Sequence, residues 1–400
     1  MRILVQKFGG TSVASRESRL AAAGHVERAL SDGYRVVVVV SAMGRKGDPY
    51  ATDTLLGTVD EADAVAKRDL DILMSCGETI SAVVFASLLR ARGHEVAVLT
   101  GGQAGIITNN QYGDARILEV RPDRILELLE RGAVVVVTGF QGVTLDGDVT
   151  TLGRGGSDTT ATALGVALGA EYVDIFTDVD GIMTADPRIV EDARRLRRVT
   201  YTEICNLAYQ GAKVIHPRAV EIAMQKNVPI RVRSTHSQDE GTLVTSATTA
   251  LESGALRERF VTGVTQAHPF TQLVMDGSGL PYGRIFEETA RRGISLDFIY
   301  VSPDRIAYTV PGRDASLAVD IVRSHGVEPR VVPDCARVAV VGAGIAGVPG
   351  IMAKITGALA SEGVEILQSA DSHTTIWCLV HLSDMERAVR ALHNAFELGQ

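Results

Sequence analysis

Residues 338–350 read VAVVGAGIAGVPG. An apolar strand pattern runs into Gly342-x-Gly344-x-x-Gly347, the spacing of a dinucleotide-binding turn. Taken at face value, the glycines would open a nucleotide-binding sheet, which needs a helix at once and further strands and crossovers after it. The following residues do not supply them. Pro349 and Gly350 stand where the helix should already be running, and proline is poorly tolerated beyond a helix's first turn. A helix is expected to start near Ile351 instead. The 53 residues after Gly347 are too few for the rest of such a domain, so no NAD is expected.

The stretch belongs instead to a repeat. Arg284-Ile285 leads a helical pattern that ends at Gly293 in ARRGISLDFI, and Lys354-Ile355 leads another that ends at Gly363 in ASEGVEILQS. Corresponding residues lie 70 apart in both places. The apolar runs RIAYTV and TTIWCLVHL follow. Two copies of a strand–helix–strand–strand unit, each about 65–75 residues, account for this pattern. By analogy, paired units of this size at the end of an enzyme suit a regulatory ligand. A small, polar stretch from 246 to 259, SATTALESGALRER, reads as the linker before them.

Ahead of the linker, strands alternate with helices. RILVQKF is a strand pattern, SRLAAAGHVERALSDG an amphipathic helix stopped by Gly33, and RVVVVVSAM a strand apolar on both faces. EVAVLTG, RILELLER, AVVVVTGF and YVDIFTDVDG continue the series. Such alternation predicts a layered α/β domain with a largely parallel sheet and helices on both faces. The net charge of -8 argues against a nucleic-acid surface. The run Val36–Val40 is too short to span a bilayer, so no membrane partner is expected. Cys76, Cys205, Cys335 and Cys378 are scattered, without a C-x-x-C pair, which fits reduced thiols in a cytoplasmic enzyme and no resident metal.

Four clusters at predicted strand ends combine glycine, hydroxyl and charge. In KFGGTS, Lys7 precedes Gly9 and Gly10, with Thr11 and Ser12 after them; it reads either as a phosphate cradle or as a plain strand end and turn. The polar loop 41–55, SAMGRKGDPYATDTL, is either solvated surface or a ligand loop. Near it in function stands SCGETIS, where Glu78 follows Gly77 at an expected helix start and would serve the helix dipole or a ligand. Residues 151–170, TLGRGGSDTTATALGVALGA, carry the strongest signal. Their glycines open a helix N-terminus to an anion, and Arg154 can fork onto a carboxylate. FTDVDGIMTADPR (176–188) with GAKVIHPRA (211–219) mixes acids and cations in a way that suits a nucleotide with its magnesium. His216, beside Pro217, reads as structural. No Walker motif and no protein-kinase motif set is present.

KFGGTSV, GRGGSDTTA, FTDVDGIMTADPR and GAKVIHPRA, in this order, resemble aspartate kinase from end to end, most closely the short, Bacillus-type members. The resemblance implies an amino-acid-kinase fold over 1–245, the linker at 246–259, and tandem ACT units at 260–333 and 334–400, the last strand of the second possibly pairing with the first unit. It implies transfer of the ATP γ-phosphate, with Mg2+, to the β-carboxylate of L-aspartate, on the way to lysine, diaminopimelate, threonine and methionine. Lys7 would contact the transferring phosphate, with Gly9, Gly10 and Ser12 along the phosphates. Arg154 would hold the α-carboxylate of aspartate, with Thr52, Glu78 and Ser157 nearby. Asp158 would organise the substrate or the lysine. Thr177, Asp178, Arg188 and Lys213 would line the nucleotide site.

The glycines at 342–347 then become the first strand-to-helix loop of the second ACT unit. The family also implies an amino-acid effector and a homo-oligomer formed through these units. Members inhibited jointly by lysine and threonine often carry a Gln-Asn pair five residues after an aspartate that matches Asp297; here Ser302 and Pro303 stand in its place. With Asp297, Ser302, Gln368, Ser369 and Asp371 as the effector residues, diaminopimelate is favoured, lysine or threonine being the other candidates. Three rival readings differ in chemistry: a glutamate or acetylglutamate kinase, an inactive amino-acid sensor, and an NAD oxidoreductase. The first would have to explain the ACT pair, the second the retained Lys7, Arg154 and Asp158, and the third the short remainder after Gly347.

Overall fold

The computed structural model describes residues 1–61, 64–212, 214–246, 260–277, 279, 281–345 and 347–400. Lys213 and all of the expected linker except Ser246 lie outside the described residues. The chain divides into two compact units. The first holds Met1–Ile182, Arg195–Ala208 and the described residues from 214 to 246; the second holds Met183–Arg194, Tyr209–Ala212 and the described residues from 260 to 400. Two short segments that the sequence assigns to the catalytic domain, 183–194 and 209–212, thus belong to the second unit.

In chain order the first unit comprises β1 (Ile3–Phe8), α1 (Gly10–Ala14), α2 (Arg16–Ser31), β2 (Arg35–Val40), α3 (Thr52–Leu56), α4 (Lys67–Ala91), β3 (Val96–Leu99), β4 (Ile106–Thr108) and β5 (Ile117–Val120). It continues with α5 (Asp123–Glu130), β6 (Val134–Thr138), β7 (Gln141–Val143), β8 (Val149–Thr151), α6 (Gly156–Ala167), β9 (Tyr172–Thr177), β10 (Arg198–Thr200), α7 (Tyr201–Tyr209, its last residue in the second unit), α8 (Pro217–Gln225), β11 (Ile230–Ser234) and β12 (Thr242–Thr245). Among the described residues the main sheet has the order β10-β12-β11-β9-β1-β2-β6-β3, and only the β11–β12 pair is antiparallel. A small sheet, β5-β4-β7-β8, stands apart from it.

Sequence chemistry explains the arrangement. The valines of β2 are all buried, as a central parallel strand covered on both faces requires. One face packs Leu4, Phe8, Val36, Val38 and Val136 against Ala22 and Val26 of α2 and Phe85 and Leu89 of α4. At roughly 1.5–3 kcal/mol per fully buried side chain, this layer is a principal stabiliser of the sheet. The small residues of α6 let that helix lie tightly on β9: a Cβ at Gly165 would stand 2.3 Å from Val173. Ser15 starts α2 by accepting from Ser18 N at 3.0 Å, and Gly33 ends it with φ +84°. Helix α4 is long and apolar enough to cross a membrane by length and composition, yet its Phe85, Ala86 and Leu89 are core residues and it buries the carboxyl groups of Asp71 and Glu78.

The second unit contains β13 (Gly263–Asp276), α9 (Tyr282–Arg291), β14 (Asp297–Val301), β15 (Arg305–Pro311), α10 (Ala315–Ser324), β16 (Arg330–Val341), α11 (Ile351–Ser361), β17 (Gln368–Asp371), β18 (Thr375–His381) and α12 (Met385–Ala395). The sheet order is β14-β15-β13-β16-β18-β17. The predicted repeat is visible, and α11 starts at Ile351 as expected.

The long strands β13 and β16 serve both repeats. Residues 270–276 of β13 pair with β15, whereas 263–267 pair with 337–341 of β16. The upper half of β16 pairs with β18. The expected late strand pairing with the first repeat is therefore replaced by an early one. The second repeat ends in helix α12, and its fourth strand is 263–267, upstream of the first repeat. Leu273, Ile285, Ile306, Tyr308 and Val322 form one core; Val338, Val340, Ile355, Leu359, Val380 and Leu392 form the other, joined by Ala185 and Val190 of the inserted segment. The fingerprint glycines do local work here. A Cβ at Gly342 would lie 1.7 Å from Phe260 O, and Gly347 has φ +80°.

Candidate active site and effector region

Strands β1, β2, β6, β9 and β11 all run parallel, so their carboxyl ends share one edge of the sheet. Ligands bind at that edge in open α/β sheets. Lys7, next to the end of β1, places Nζ 2.6 Å from Asp158 Oδ1, and both side chains are nearly buried. Asp158 sits in the first turn of α6, where the helix dipole favours its charge, and its Oδ2 accepts from His216 N at 3.4 Å. A Cβ at Gly9 would stand 3.4 Å from Lys7 Nζ. At Gly10 it would fall 2.6 Å from Gly44 O and 2.8 Å from Ala42 O, so the loop after β2 can lie on the glycine pair only because position 10 has no side chain.

That loop also reaches Glu78. Ala42 N donates to Glu78 Oε1 at 3.0 Å, while Oε2 has no partner among the described residues. Glu78 is 2% exposed, and burial pushes its carboxyl from 4.5 up to about 8. The expected helix start at Gly77-Glu78 is not observed, because both residues lie inside α4. Gly77 marks a close approach: a Cβ there would meet Ala42 Cβ at 2.8 Å and Tyr50 O at 3.0 Å. Thr52 is half-buried at the first position of α3, after the same loop.

Around the start of α6, Ser157 is buried, its Oγ 2.6 Å from where a Cβ at Gly139 would stand, past the end of β6. Arg154 is exposed, and its guanidinium has neither hydrogen bond nor ion pair among the described residues. Gly155 has φ +68° and lies against His216. Sequence reasoning missed Arg218, whose Nη1 and Nη2 donate to Leu152 O at 2.9 Å and Ala115 O at 2.8 Å, fixing the strand that leads to Arg154. His216 Nδ1 accepts from Arg218 N and caps α8, a structural role as expected. Pro217 at the first position of α8 was the sequence signal for that cap.

Thr177 ends β9 and donates to Asp178 Oδ1 at 3.1 Å, and Asp178 Oδ2 lies 2.5 Å from Arg45 Nη2, a partner the sequence did not single out. Arg188 falls in the second unit, where Asp186 engages its Nε at 3.0 Å and its Nη2 at 2.7 Å.

Among the residues expected to meet an effector, Asp297 forms an ion pair with Arg337 and accepts from Phe298 N through Oδ1 at 2.9 Å. Phe298 has φ +52°, a conformation unusual for an aromatic residue. Gln368 Nε2 donates to Phe298 O at 2.7 Å, and Gln272 Nε2 donates to Gln368 Oε1 at 2.8 Å, linking β14, β13 and β17. Ser369 and Asp371 are exposed on β17. Ser302 is engaged within its own turn, donating to Asp304 Oδ1 at 2.6 Å.

A sheet edge so equipped is that of a phosphotransferase, and the sequence profile of the amino acid kinase family matches residues 2–234. An ACT domain profile matches residues 330–394. The chain is 56% identical to Aspartokinase 1 of Bacillus subtilis over 100% of both chains, and 38% identical to an aspartokinase of Thermus thermophilus, again over 100% of both. E. coli aspartokinase III in complex with aspartate and ADP superposes with a TM-score of 0.79 at 27% identity, over 98% of this chain and 99% of that one. Its complex with lysine and aspartate gives 0.76 at 26% identity, with the same coverage. The chain belongs to the aspartokinases, kinases with C-terminal ACT domains.

Proposed function

We propose that the chain transfers the γ-phosphoryl group of ATP to the β-carboxylate of L-aspartate, giving 4-phospho-L-aspartate and ADP. The observation that carries this reading is the Lys7–Asp158 pair at the sheet edge, flanked by Gly9 and by an uncommitted Arg154. The β-carboxylate is ionised at pH 7, so no general base is needed. One of its oxygens bonds to the γ-phosphorus while the bond to the β–γ bridging oxygen breaks, and ADP leaves. Catalysis is then alignment and charge neutralisation. Lys7, held by Asp158, meets the charge that spreads over the γ-oxygens. Gly9, Gly10 and Ser12 follow the phosphates, and Thr177 and Asp178 line the nucleotide; family resemblance adds Lys213. Arg154 forks onto the α-carboxylate of aspartate beside Thr52 and Ser157. Magnesium enters with ATP and neutralises phosphate charge.

We place the enzyme in the cytoplasm, in the synthesis of aspartate-derived amino acids, as a homo-oligomer formed through the ACT units. The edge strand β14 supports that assembly, with Ile299, Tyr300 and Val301 exposed side by side. A hydroxamate assay tests the reaction: ATP with aspartate should yield acyl hydroxamate, and ATP with glutamate or acetylglutamate should not. Product from glutamate but not aspartate would overturn the reading.

The unpartnered, buried Oε2 of Glu78 is suited to the ammonium of aspartate. Without ligand the carboxyl is neutral at pH 7, and an adjacent ammonium favours its ionised form. Binding below about pH 8 therefore releases a proton. The KM for aspartate should fall as pH rises from 6 to 8, by up to about tenfold per unit, and level off above that. Glu78→Gln should flatten the profile. An unchanged profile in this variant would remove Glu78 from the aspartate subsite.

Regulation follows the same logic. An effector ammonium at Asp297 competes with Arg337 for the carboxylate, and Ser302 and Pro303 offer no amide where a Gln-Asn pair would. Diaminopimelate, with an amino-acid head group at each end, is the favoured effector across the two ACT units. Calorimetry should show it binding alone, and Asp297→Ala should weaken it by about tenfold or more. Tighter binding of lysine with threonine, also lost in Asp297→Ala, would keep the site and overturn the specificity.

A further inference from the structure

Behind the phosphate segment a buried polar chain runs from Ser12 to two residues that have no role in the reaction as proposed, Thr235 and His25. Ser12, two residues after Gly10 in α1, is 2% exposed, and its Oγ accepts from Thr235 Oγ1 at 2.7 Å. Thr235, just past the end of β11, is equally buried. Its N–H donates to Thr177 O at 3.0 Å, tying it to the end of β9. Its carbonyl oxygen lies 3.0 Å from Nε2 of His25, which comes from α2 and is 2% exposed.

A carbonyl can only accept, so His25 Nε2 carries the hydrogen. Burial, with Arg233 and Arg28 adding to it, pushes the imidazole down to about 4, so the ring is neutral and this single N–H is its donor. The ring is held at 4.4 Å from that of Phe176, which stacks on Phe8 at 4.7 Å. Those two aromatics stand next to Thr177 and Lys7 in the chain.

The direction of the bonds matters. Thr235 Oγ1 has two acceptors in reach, Ser12 Oγ at 2.7 Å and Thr177 O at 3.4 Å; with its hydrogen on the nearer one, the hydrogen of Ser12 itself has no acceptor among the described residues. It is left to turn towards an incoming phosphate oxygen. A histidine in a core is usually just a satisfied polar group. Here the ring's hydrogen bond to Thr235 O fixes the residue that sets the hydroxyl polarity of Ser12.

We infer that His25 is a positioning residue for ATP, acting through Thr235 to hold the Ser12 hydroxyl as a donor to phosphate. The inference rests on the reading of 9–12 as the phosphate segment. Loss of the His25 hydrogen bond acts on the nucleotide and leaves the aspartate subsite alone. Its test is steady-state kinetics on the full chain with both substrates varied, alongside thermal melting. His25→Phe should raise the KM for ATP about tenfold, the size of one well-made hydrogen bond, with the KM for aspartate within about twofold of wild type. His25→Gln, which restores an N–H donor, should recover most of that loss. Thr235→Val, which keeps the carbonyl but removes the hydroxyl, should raise the ATP KM similarly, and combining it with His25→Phe should add little. If Ser12→Ala raises the ATP KM while His25→Phe does not, the inference falls and the phosphate reading stands. If Ser12→Ala leaves the ATP KM unchanged, the phosphate reading falls and takes the inference with it. Equal rises for both substrates in His25→Phe, tracking a lower melting temperature and not recovered by His25→Gln, would make the histidine structural and overturn the proposal.

Discussion

Lys7→Ala is expected to lower kcat by at least about 10²-fold, the scale of losing one preorganised charge stabiliser. The substitution acts twice. On the proposed reaction it removes the ammonium that would face the transferring phosphoryl group, and it leaves the Asp158 carboxylate, now without its cation at 2.6 Å, to repel that group. The KM values should move much less than kcat, because the lysine's contribution grows as charge shifts in the transition state. Lys7 lies at the sheet edge, with the core of β1 formed by Leu4 and Phe8, so the fold should survive. Melting curves and ATP-binding calorimetry on the variant separate lost chemistry from lost structure. A folded variant with near-normal turnover would end the assignment.

Arg154→Lys is the second large effect. A guanidinium meets a carboxylate through two parallel N–H bonds, and an ammonium is a point charge, so the change is not conservative. The KM for aspartate should rise by about 10- to 100-fold, in line with charge-assisted hydrogen bonds worth roughly 1.5–3 kcal/mol. The KM for ATP should stay within about twofold. Arg154 is exposed and without a protein partner among the described residues, so stability should change by no more than about 0.5 kcal/mol. Parallel rises in both KM values would move Arg154 out of the aspartate subsite.

What the sequence reveals follows the range of its physics. The parallel sheet is legible because five consecutive valines leave β2 no polar face, and the glycine-bearing loops at its edge because Gly9, Gly10 and Gly155 mark backbone that must come close or turn. Glu78 was misplaced at a helix start because Gly77 looks like a break; its real cause, the loop at Ala42 and Tyr50, comes from outside the helix. Arg218 and His25 carry no local signature, since their partners Leu152, Ala115 and Thr235 lie 66, 103 and 210 residues away. The excursions at 183–194 and 209–212 are equally silent in the sequence, because Ala185 and Val190 look like any buried residues until their neighbours in the second unit are known.

The strand hand-off in the second unit bears on how aspartokinases can be recombined. A designer wishing to graft the effector response of one relative onto another would cut at the visible repeat boundary near 333. That cut would divide β16, whose lower part belongs to one repeat and whose upper part belongs to the other, and it would strand 263–267 on the wrong side. Each chimera would then carry a second repeat with a foreign edge strand and a broken register. The two repeats are therefore exchangeable as a pair and not singly. The workable crossover lies ahead of Gly263, and natural shuffling of one repeat without its twin would meet the same barrier.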